Sequence, residues 1–348
     1  MTSEYLAWAK TRKPGRYNLA GSGVLPYTIR ELKPRIEDIE LNADSLYGYP
    51  PLQAAIAGHC GVSEDFVVAS SGTSMANFLA LAALIEPGDE ILVEDPVYEP
   101  LLAAVQYFGG SIRRLKRRPE SNFQLPPPND VISSKTKLII ITNLHNPTSL
   151  AVSEKTLREY GEVARGAGAR VLVDEVYLEC MYEKFSSAAQ YGREFVITGS
   201  LTKAYGLGGL RCGWVVADPV LVQRMWRIKD LIDPSAPHPA ELLSVIAFRK
   251  LKQIGEGAKA LLARNRLLLK EFLFECDRLE CVLPGFGTCI FPRLQGGDAE
   301  QFVEILHERY DTDVVPGRFF EMPDHFRLGI GGDTEMLEAG LQRLKEAL

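Results

Sequence analysis

One lysine in the chain, Lys203, has the surroundings of a reactive amine. The flanking runs at 195–198 and 212–217 combine β-branched and aromatic residues with bounding glycines, which predicts two short buried strands joined by a glycine-rich loop. A lysine amine in a dry pocket is a nucleophile that can form a Schiff base with an aldehyde. Ser200 and Arg211 in the same stretch offer the hydroxyl donor and the planar cation that a phosphate monoester needs. Taken alone, the S-x-x-K motif is equally compatible with a surface lysine on a glycine-rich turn.

Three more apolar runs lead into polar residues that could bind the same ligand. One predicted strand continues through Ser71, Gly72 and Thr73 into an apolar helix, and the N-terminus of such a helix attracts anions. An ordinary helix cap is the alternative there. Asn146 follows a second strand in an N-P-T turn, where its amide can donate to a ring hydroxyl. Asp174 ends a third strand and needs a cationic partner, unless it caps the next helix.

The pattern of apolar residues predicts the elements that position these side chains. Strands and helices alternate across 66–217, which indicates a mostly parallel sheet with ligands at the carboxyl ends of its strands. The later part predicts helices at 218–232 and 239–254, and after them a smaller α/β layer with helices at 255–277, 298–309 and 334–347 and strands at 287–294, 311–317 and 325–331. Residues 4–12 predict either a short helix or a loose N-terminal arm.

Composition limits the class of protein. The 348 residues are 46% hydrophobic and 24% charged with a net charge of −6, which is ordinary for a globular protein and gives no basic surface for nucleic acid. No apolar run is long enough for a membrane span, and the first residues do not read as a signal peptide. Six cysteines without a C-x-x-C pair predict reduced thiols in a cytoplasmic protein and no metal site.

The string S-L-T-K-A-Y-G-L-G-G-L-R-C-G around Lys203 resembles the lysine signature of fold-type-I pyridoxal-phosphate enzymes, in particular the class I/II aminotransferases. The resemblance runs from about residue 20 to the C-terminus. It implies an α/β fold with a large domain, built on a mostly parallel seven-stranded sheet between helices, and a smaller α/β domain. We expect an N-terminal arm at 1–45 that joins the small domain, a large pyridoxal-phosphate-binding domain at 46–250 and a small C-terminal domain at 251–348.

The resemblance also implies a role for each matching residue. Lys203 would hold the aldehyde of pyridoxal 5′-phosphate and move the substrate proton, Asp174 would keep the ring nitrogen protonated, and Tyr98 would stack on the ring. The full set implied to bind the cofactor is Ser71, Gly72, Thr73, Tyr98, Asn146, Asp174, Tyr177, Ser200, Lys203 and Arg211. For the substrate, the resemblance implies Arg327 on the carboxylate and a glycine beside it, for which we take Gly23, with Gly21 as the alternative.

Three positions depart from the family's pattern. A tyrosine that reaches the partner subunit's phosphate aligns with Ala43, while the nearby Tyr47 is out of register, and Gln53 replaces an arginine. Ser149 replaces the glycine of the family's N-P-T-G turn, so we expect a turn of different shape.

The function that the resemblance implies is transfer of an amino group from an α-amino acid to a 2-oxo acid, by a homodimer. A carbon–sulfur β-lyase, a decarboxylase or a cyclopropane synthase-like enzyme on the same fold would share the cofactor residues and remains an alternative. A non-catalytic sensor domain is a second alternative, although such regulators carry a separate DNA-binding domain that has no room before residue 18.

Overall fold

The computed structural model describes residues 2–44, 46–182 and 185–348. Within these ranges the strands are β1 (Tyr17–Asn18), β2 (Val67–Ser71), β3 (Glu90–Asp95), β4 (Ser111–Lys116), β5 (Thr136–Thr142), β6 (Arg170–Asp174), β7 (Phe195–Ser200), β8 (Cys212–Val216), β9 (Leu279–Glu280), β10 (Cys289–Ile290), β11 (Arg293–Leu294), β12 (Thr312–Asp313), β13 (Val315–Pro316) and β14 (Phe326–Gly329). The α-helices are α1 (Glu4–Thr11), α2 (Ile29–Leu32), α3 (Pro50–Cys60), α4 (Thr73–Leu84), α5 (Glu99–Tyr107), α6 (Pro128–Val131), α7 (Glu154–Ala167), α8 (Pro219–Ile232), α9 (His238–Phe248), α10 (Leu251–Phe274), α11 (Ala299–Tyr310) and α12 (Thr334–Ala347).

A seven-stranded sheet in the order β2-β8-β7-β6-β5-β3-β4 forms the centre of the molecule. Only β8 runs antiparallel to its neighbours, β2 and β7, while the other pairs are parallel. The central strands are near-continuous apolar runs because both faces of the sheet are covered. Helices α3, α7 and α9 pack on one face and α4, α5 and α8 on the other. The predicted fold class is therefore confirmed.

A smaller layer follows the large sheet. It contains the three-stranded sheet β10-β14-β13 and the pairs β1–β12 and β9–β11, packed against α10, α11 and α12 around a separate apolar core. Helix α10 contributes its first turn to the core of the large sheet and its later turns to this smaller core. The predicted domain boundaries at residues 45 and 250 stay a prediction.

Several predicted element bounds in this region are wrong. The helix junction expected between residues 254 and 255 lies at 249–250, and α10 runs through Gly255 without a break. Gly255 packs beside Tyr182, where a Cβ would lie 3.4 Å from the ring, an ordinary packing distance. The single strand expected at 287–294 is divided between β10 and β11, which belong to different sheets, because Pro292 has no N–H to continue a ladder. The strand expected at 311–317 is likewise divided, into β12 and β13.

The N-terminal segment is a helix that folds onto its own chain. The side chain of Ser3 caps α1 by accepting a hydrogen bond from the N–H of Leu6. The carboxylate of Glu99, the first residue of α5, accepts hydrogen bonds from the Ser3 hydroxyl and from the backbone N–H groups of Glu4 at 2.9 Å and Tyr5 at 3.0 Å. Of the two alternatives for residues 4–12, the structure shows the helix.

Candidate active site

A cavity of about 240 Å³ lies where β5, β6 and β7 end. Because β8 is antiparallel, its start reaches the same edge of the sheet, and the loop from β7 to β8 crosses that edge. The cavity is lined by eight of the predicted residues, namely Thr73, Tyr98, Asn146, Asp174, Tyr177, Ser200, Lys203 and Arg211. Ser71, Gly72, Gly23 and Arg327 were also predicted for the site, but they are not part of this lining.

Lys203 is the buried amine of the cavity. Its Nζ donates a hydrogen bond to the hydroxyl of Ser22 at 2.9 Å. Burial, followed by the positive charge of Arg327, lowers the pKa of Lys203 to about 8. The loop is fixed directly after Lys203, since Tyr182 OH donates to Ala204 O at 2.6 Å and Tyr205 OH donates to the Glu179 carboxylate at 2.5 Å. A large fraction of this amine is therefore neutral near pH 8, as nucleophilic attack requires.

Asp174 ends β6 inside the cavity, where it accepts hydrogen bonds from Asn77 Nδ2 at 2.8 Å and from the N–H of Val176 at 3.0 Å. Burial raises the pKa of Asp174 to about 6, although these hydrogen bonds act in the opposite direction. Thr198 donates to Asn77 Oδ1 at 2.6 Å and so orients the amide. Sequence reasoning missed Asn77, whose signal was one amide in the otherwise apolar helix α4. A pyridinium N–H is a cation that fits this buried carboxylate.

The turn from β2 into α4 forms a cradle for an anion together with Arg211. Gly72 has φ +84°, and a Cβ there would lie 2.2 Å from Arg211 Nη2. That nitrogen donates to Ser71 O at 2.9 Å, which ties the guanidinium to the turn. Thr73, the first residue of α4, has a buried Oγ1 without a hydrogen-bond partner among the described residues. An unpaired hydroxyl, a helix N-terminus and a guanidinium together fit a phosphate group.

The side chain of Ser71 was predicted to contact the phosphate but is directed elsewhere. Its hydroxyl donates to Asp233 Oδ2 at 3.2 Å, because the last residue of β2 faces the start of the segment that follows α8. Ser74, which the sequence analysis did not select, lines the cavity instead.

Asn146 and Tyr177 lie together on the wall formed after β5 and β6. Asn146 Oδ1 accepts a hydrogen bond from Arg327 Nη1 at 3.0 Å, and its amide nitrogen, which has no hydrogen-bond partner among the described residues, can donate to a ligand in the cavity. Burial raises the pKa of Tyr177 well above its usual range, so its hydroxyl stays protonated and can donate. Ser149 adopts φ +57°, the left-handed conformation that favours glycine. The N-P-T turn therefore keeps a glycine-type backbone at Ser149, and the expected change of shape at that residue is absent.

Gly23 and Arg327 border the cavity from the side of the small layer. A Cβ on Gly23 would lie 3.4 Å from the Lys203 Cα, whereas one on Gly21 would meet nothing within 4 Å. The structure therefore places Gly23, and not Gly21, beside the lysine. Arg327 on β14 is only 1% exposed, and Tyr5 of helix α1, a residue that the sequence analysis did not select, contacts it.

Two other classes of site receive no support from the parts of the chain that the structure describes. None of the helices there is long and apolar enough to cross a membrane. In the same ranges, no three histidine, cysteine or carboxylate side chains are grouped as ligands for a metal ion.

Comparisons with known proteins place this geometry in a family. The model of the family described as aminotransferase class I and II matches residues 24–344. Capreomycidine synthase of Streptomyces vinaceus is 28% identical, with 98% of this chain and 92% of that protein covered. A solved pyridoxal-phosphate-dependent aminotransferase from Streptococcus suis superposes with a TM-score of 0.89 at 26% identity, covering 96% of this chain and 93% of that one. The solved pyridoxal-phosphate-dependent cyclase OrfR superposes with a TM-score of 0.92, also at 26% identity, covering 99% and 96%. The chain therefore belongs to the class I and II aminotransferases, a family of pyridoxal-phosphate-dependent enzymes with fold type I.

Proposed function

We propose that Lys203 is the catalytic amine of an aminotransferase that moves an amino group from an α-amino acid to a 2-oxo acid. The observation that carries the proposal is the joint placement, in one cavity, of a buried amine, a buried carboxylate and an anion cradle. Pyridoxal phosphate, when bound, supplies an electrophilic carbon and an electron sink. The side chains of the protein would bind the cofactor, orient the substrate and move the proton.

Five groups would hold the cofactor in place. The N-terminus of α4, the hydroxyl of Thr73 and the guanidinium of Arg211 would bind the phosphate, with Ser200 at the end of β7 beside them. Asp174 would keep a proton on the ring nitrogen, and Asn77 fixes the orientation of that carboxylate.

The other cavity residues would orient the ring and the substrate. Asn146 and Tyr177 would donate hydrogen bonds to the ring hydroxyl, and Tyr98 would cover one face of the ring. Arg327 would take the substrate carboxylate, because its buried Nε has no partner among the described residues and can form one arm of a bidentate pair.

Lys203 would move the proton of the reaction. A neutral amine can accept a proton from the substrate's α-carbon and return it to a neighbouring carbon, and an amine with a pKa near the working pH does both efficiently. Because burial lowers the pKa of Lys203 to about 8, it meets this requirement. Ser22, which accepts its hydrogen bond at 2.9 Å, would hold the amine in position between the two transfers.

The test uses the holoenzyme with one amino acid at a time and no 2-oxo acid. An aminotransferase converts its cofactor to the amine form, and a 2-oxo acid reverses the change.

Borohydride reduction followed by peptide mapping should place the pyridoxyl label on Lys203, and a label on another lysine would refute that assignment.

Arg327→Lys should lower kcat/KM for amino acids roughly ten- to a hundredfold while leaving the spectrum of the bound cofactor intact, because a point charge cannot form the paired hydrogen bonds.

A cyclase is the second candidate function. Capreomycidine synthase, which matches 98% of this chain in sequence, and a pyridoxal-phosphate-dependent cyclase, which superposes on 99% of it, are named for reactions of this kind. A cyclase, a β-lyase or a decarboxylase would turn over an amino acid without a 2-oxo acid and would leave the cofactor in its aldehyde form. Pyruvate with ammonia would identify the lyase, carbon dioxide the decarboxylase, and a ring-closed amino acid the cyclase.

We also propose that a second copy of this chain covers a cleft of about 670 Å³ formed by segments 41–44, 46–50 and 234–241. Leu41 and Leu46 line the cleft as exposed apolar side chains beside polar ones, and Leu231 is exposed at the end of α8. Exposed apolar surface of this kind marks protein interfaces.

We also propose a cytoplasmic location. It is supported by the six cysteines, which are all free thiols, as expected in a reducing compartment.

A further inference from the structure

Helix α1 covers Arg327 through one side chain, Tyr5. The Tyr5 ring packs edge-on against Tyr98, with ring centroids 5.8 Å apart, and against Phe319 at 5.6 Å. Arg327 Cζ lies 5.6 Å from the centroid of the Tyr5 ring. Tyr5 lines the cavity whereas Arg327 does not, so a carboxylate in the cavity meets Tyr5 before it can pair with the guanidinium.

The hydrogen bonds of Arg327 engage its two Nη groups but not its Nε. Nη2 donates to Tyr5 OH at 2.9 Å and to Ala20 O at 3.2 Å, and Nη1 donates to Asn146 Oδ1 at 3.0 Å. Nε is buried and has no partner among the described residues. A carboxylate that binds side-on takes Nε and Nη2 together. Nε is open to it, but both hydrogens of Nη2 are already engaged.

We propose that the Tyr5 hydroxyl occupies the place of one carboxylate oxygen on Arg327 and that the substrate's α-carboxylate displaces it. The proposal rests on the proposed role of Arg327 as the carboxylate site. A carboxylate provides two charged acceptors for Nε and Nη2, whereas the hydroxyl is one neutral acceptor, so the exchange favours the carboxylate. An amine or an amino acid amide lacks that charge and cannot make the exchange. Tyr5 thereby acts as a specificity-determining residue that excludes amines without a carboxylate.

The anchoring of α1 allows the hydroxyl to move while the helix stays attached. Three donors at its N-terminal end bind the carboxylate of Glu99, and none of them involves the Tyr5 side chain. The Tyr5 ring is also held by aromatic neighbours that a phenylalanine would keep. Tyr5→Phe therefore removes the hydroxyl from Nη2 with little other change.

The experiment measures binding of propionate, a carboxylate that cannot react, to the holoenzyme by calorimetry. Tyr5→Phe should bind propionate roughly two- to tenfold more tightly, the equivalent of one competing hydrogen bond removed, with KM for amino acids lowered by a similar factor and kcat unchanged. Trp8→Phe is the matched control, since Trp8 lies on the same helix and packs on Phe319, with ring centroids 5.5 Å apart, but its indole takes no part in the hydrogen bonds of Arg327. It should leave propionate affinity unchanged.

The direction of the change in propionate affinity in Tyr5→Phe tests whether the hydroxyl is displaced. Weaker binding in Tyr5→Phe would show that the hydroxyl donates to the bound carboxylate and is not displaced, and unchanged binding would show a packing role only; either result overturns the proposal. Arg327→Lys distinguishes a failure of the role proposed for Tyr5 from a failure of the carboxylate site proposed at Arg327. If it weakens propionate binding while Tyr5→Phe does not strengthen it, only the role of Tyr5 fails. If Arg327→Lys leaves propionate binding unchanged, the assignment of the carboxylate site fails as well.

Discussion

Lys203 and Asp174 share a cavity in which burial disfavours both of their charged forms. The pKa of the lysine is lowered to about 8 and that of the aspartate is raised to about 6. The charged form of each side chain would be favoured again by an oppositely charged group of a ligand bound in the cavity. The site is therefore locally unfavourable for folding until the cofactor binds, as is common where residues are arranged for chemistry.

The first prediction concerns Lys203 in the cofactor-free protein. A lysine whose pKa falls from 10.5 to about 8 on folding destabilises the folded state, fully below pH 8 and progressively less as the pH rises towards 10.5. Lys203→Met should therefore raise the free energy of unfolding at pH 7, by at most about 3 kcal/mol, with a smaller gain at pH 10.

Denaturant unfolding at the two pH values measures this difference. Lys135→Met removes one exposed positive charge and serves as the control for net charge. A Lys203→Met protein that is less stable than the parent at pH 7, or whose gain grows with pH, would contradict the prediction.

At the scale of the elements, the turn between β2 and α4 joins the sheet to the anion cradle. Gly72→Ala should weaken binding of pyridoxal phosphate at least tenfold, because its Cβ would lie 2.2 Å from Arg211 Nη2 and the guanidinium would have to move. Gly88→Ala is the matched control, since Gly88 also has a positive φ, +93°, but a Cβ there meets nothing within 4 Å. The dissociation constant of the cofactor is the measurement, and equal effects of the two substitutions would mean that backbone strain alone is responsible.

The sequence predicted the parts of the site that follow directly from strands. Asp174 and Ser200 end buried strands, and Asn146 and Lys203 come a few residues later, so topology alone brings them to one edge of the sheet. Asn77 was missed because a polar residue on an apolar helix shows its partner only when the helix is packed. Tyr5 was missed for a related reason, since its contact with Arg327 joins two ends of the chain.

The sequence was less informative about where elements end in the small layer. Strands of two residues, such as β10 and β11, are too short for alternation to be recognised, and their pairing depends on tertiary neighbours. The junction between α9 and α10 contains no proline or glycine, so no local breaker marks it.

For the whole molecule, the prediction is a homodimer that needs the apolar surroundings of the cleft. Leu41→Asp combined with Leu231→Asp should dissociate the dimer at micromolar concentration, because the leucines are 77% and 83% exposed in the single chain and would be buried by a partner. Phe274→Asp is the matched control, as that residue is 90% exposed at the end of α10, away from the cleft. Light scattering measures the mass. A parent protein that is monomeric and fully active at the same concentration would refute the dimer.

The antiparallel pairing of β2 with β8 has a consequence for how the protein acquires its cofactor. Arg211 and Ser71 are 140 residues apart in the chain, and they meet only when these two strands have paired in the register that sets Ser71 opposite Cys212. Contacts so distant along the chain close late in folding because of their entropic cost. A ligand that needs this contact cannot guide the early collapse and binds only an almost finished sheet. Pyridoxal phosphate should therefore slow unfolding far more than it accelerates folding, and a newly made chain must reach its topology unaided.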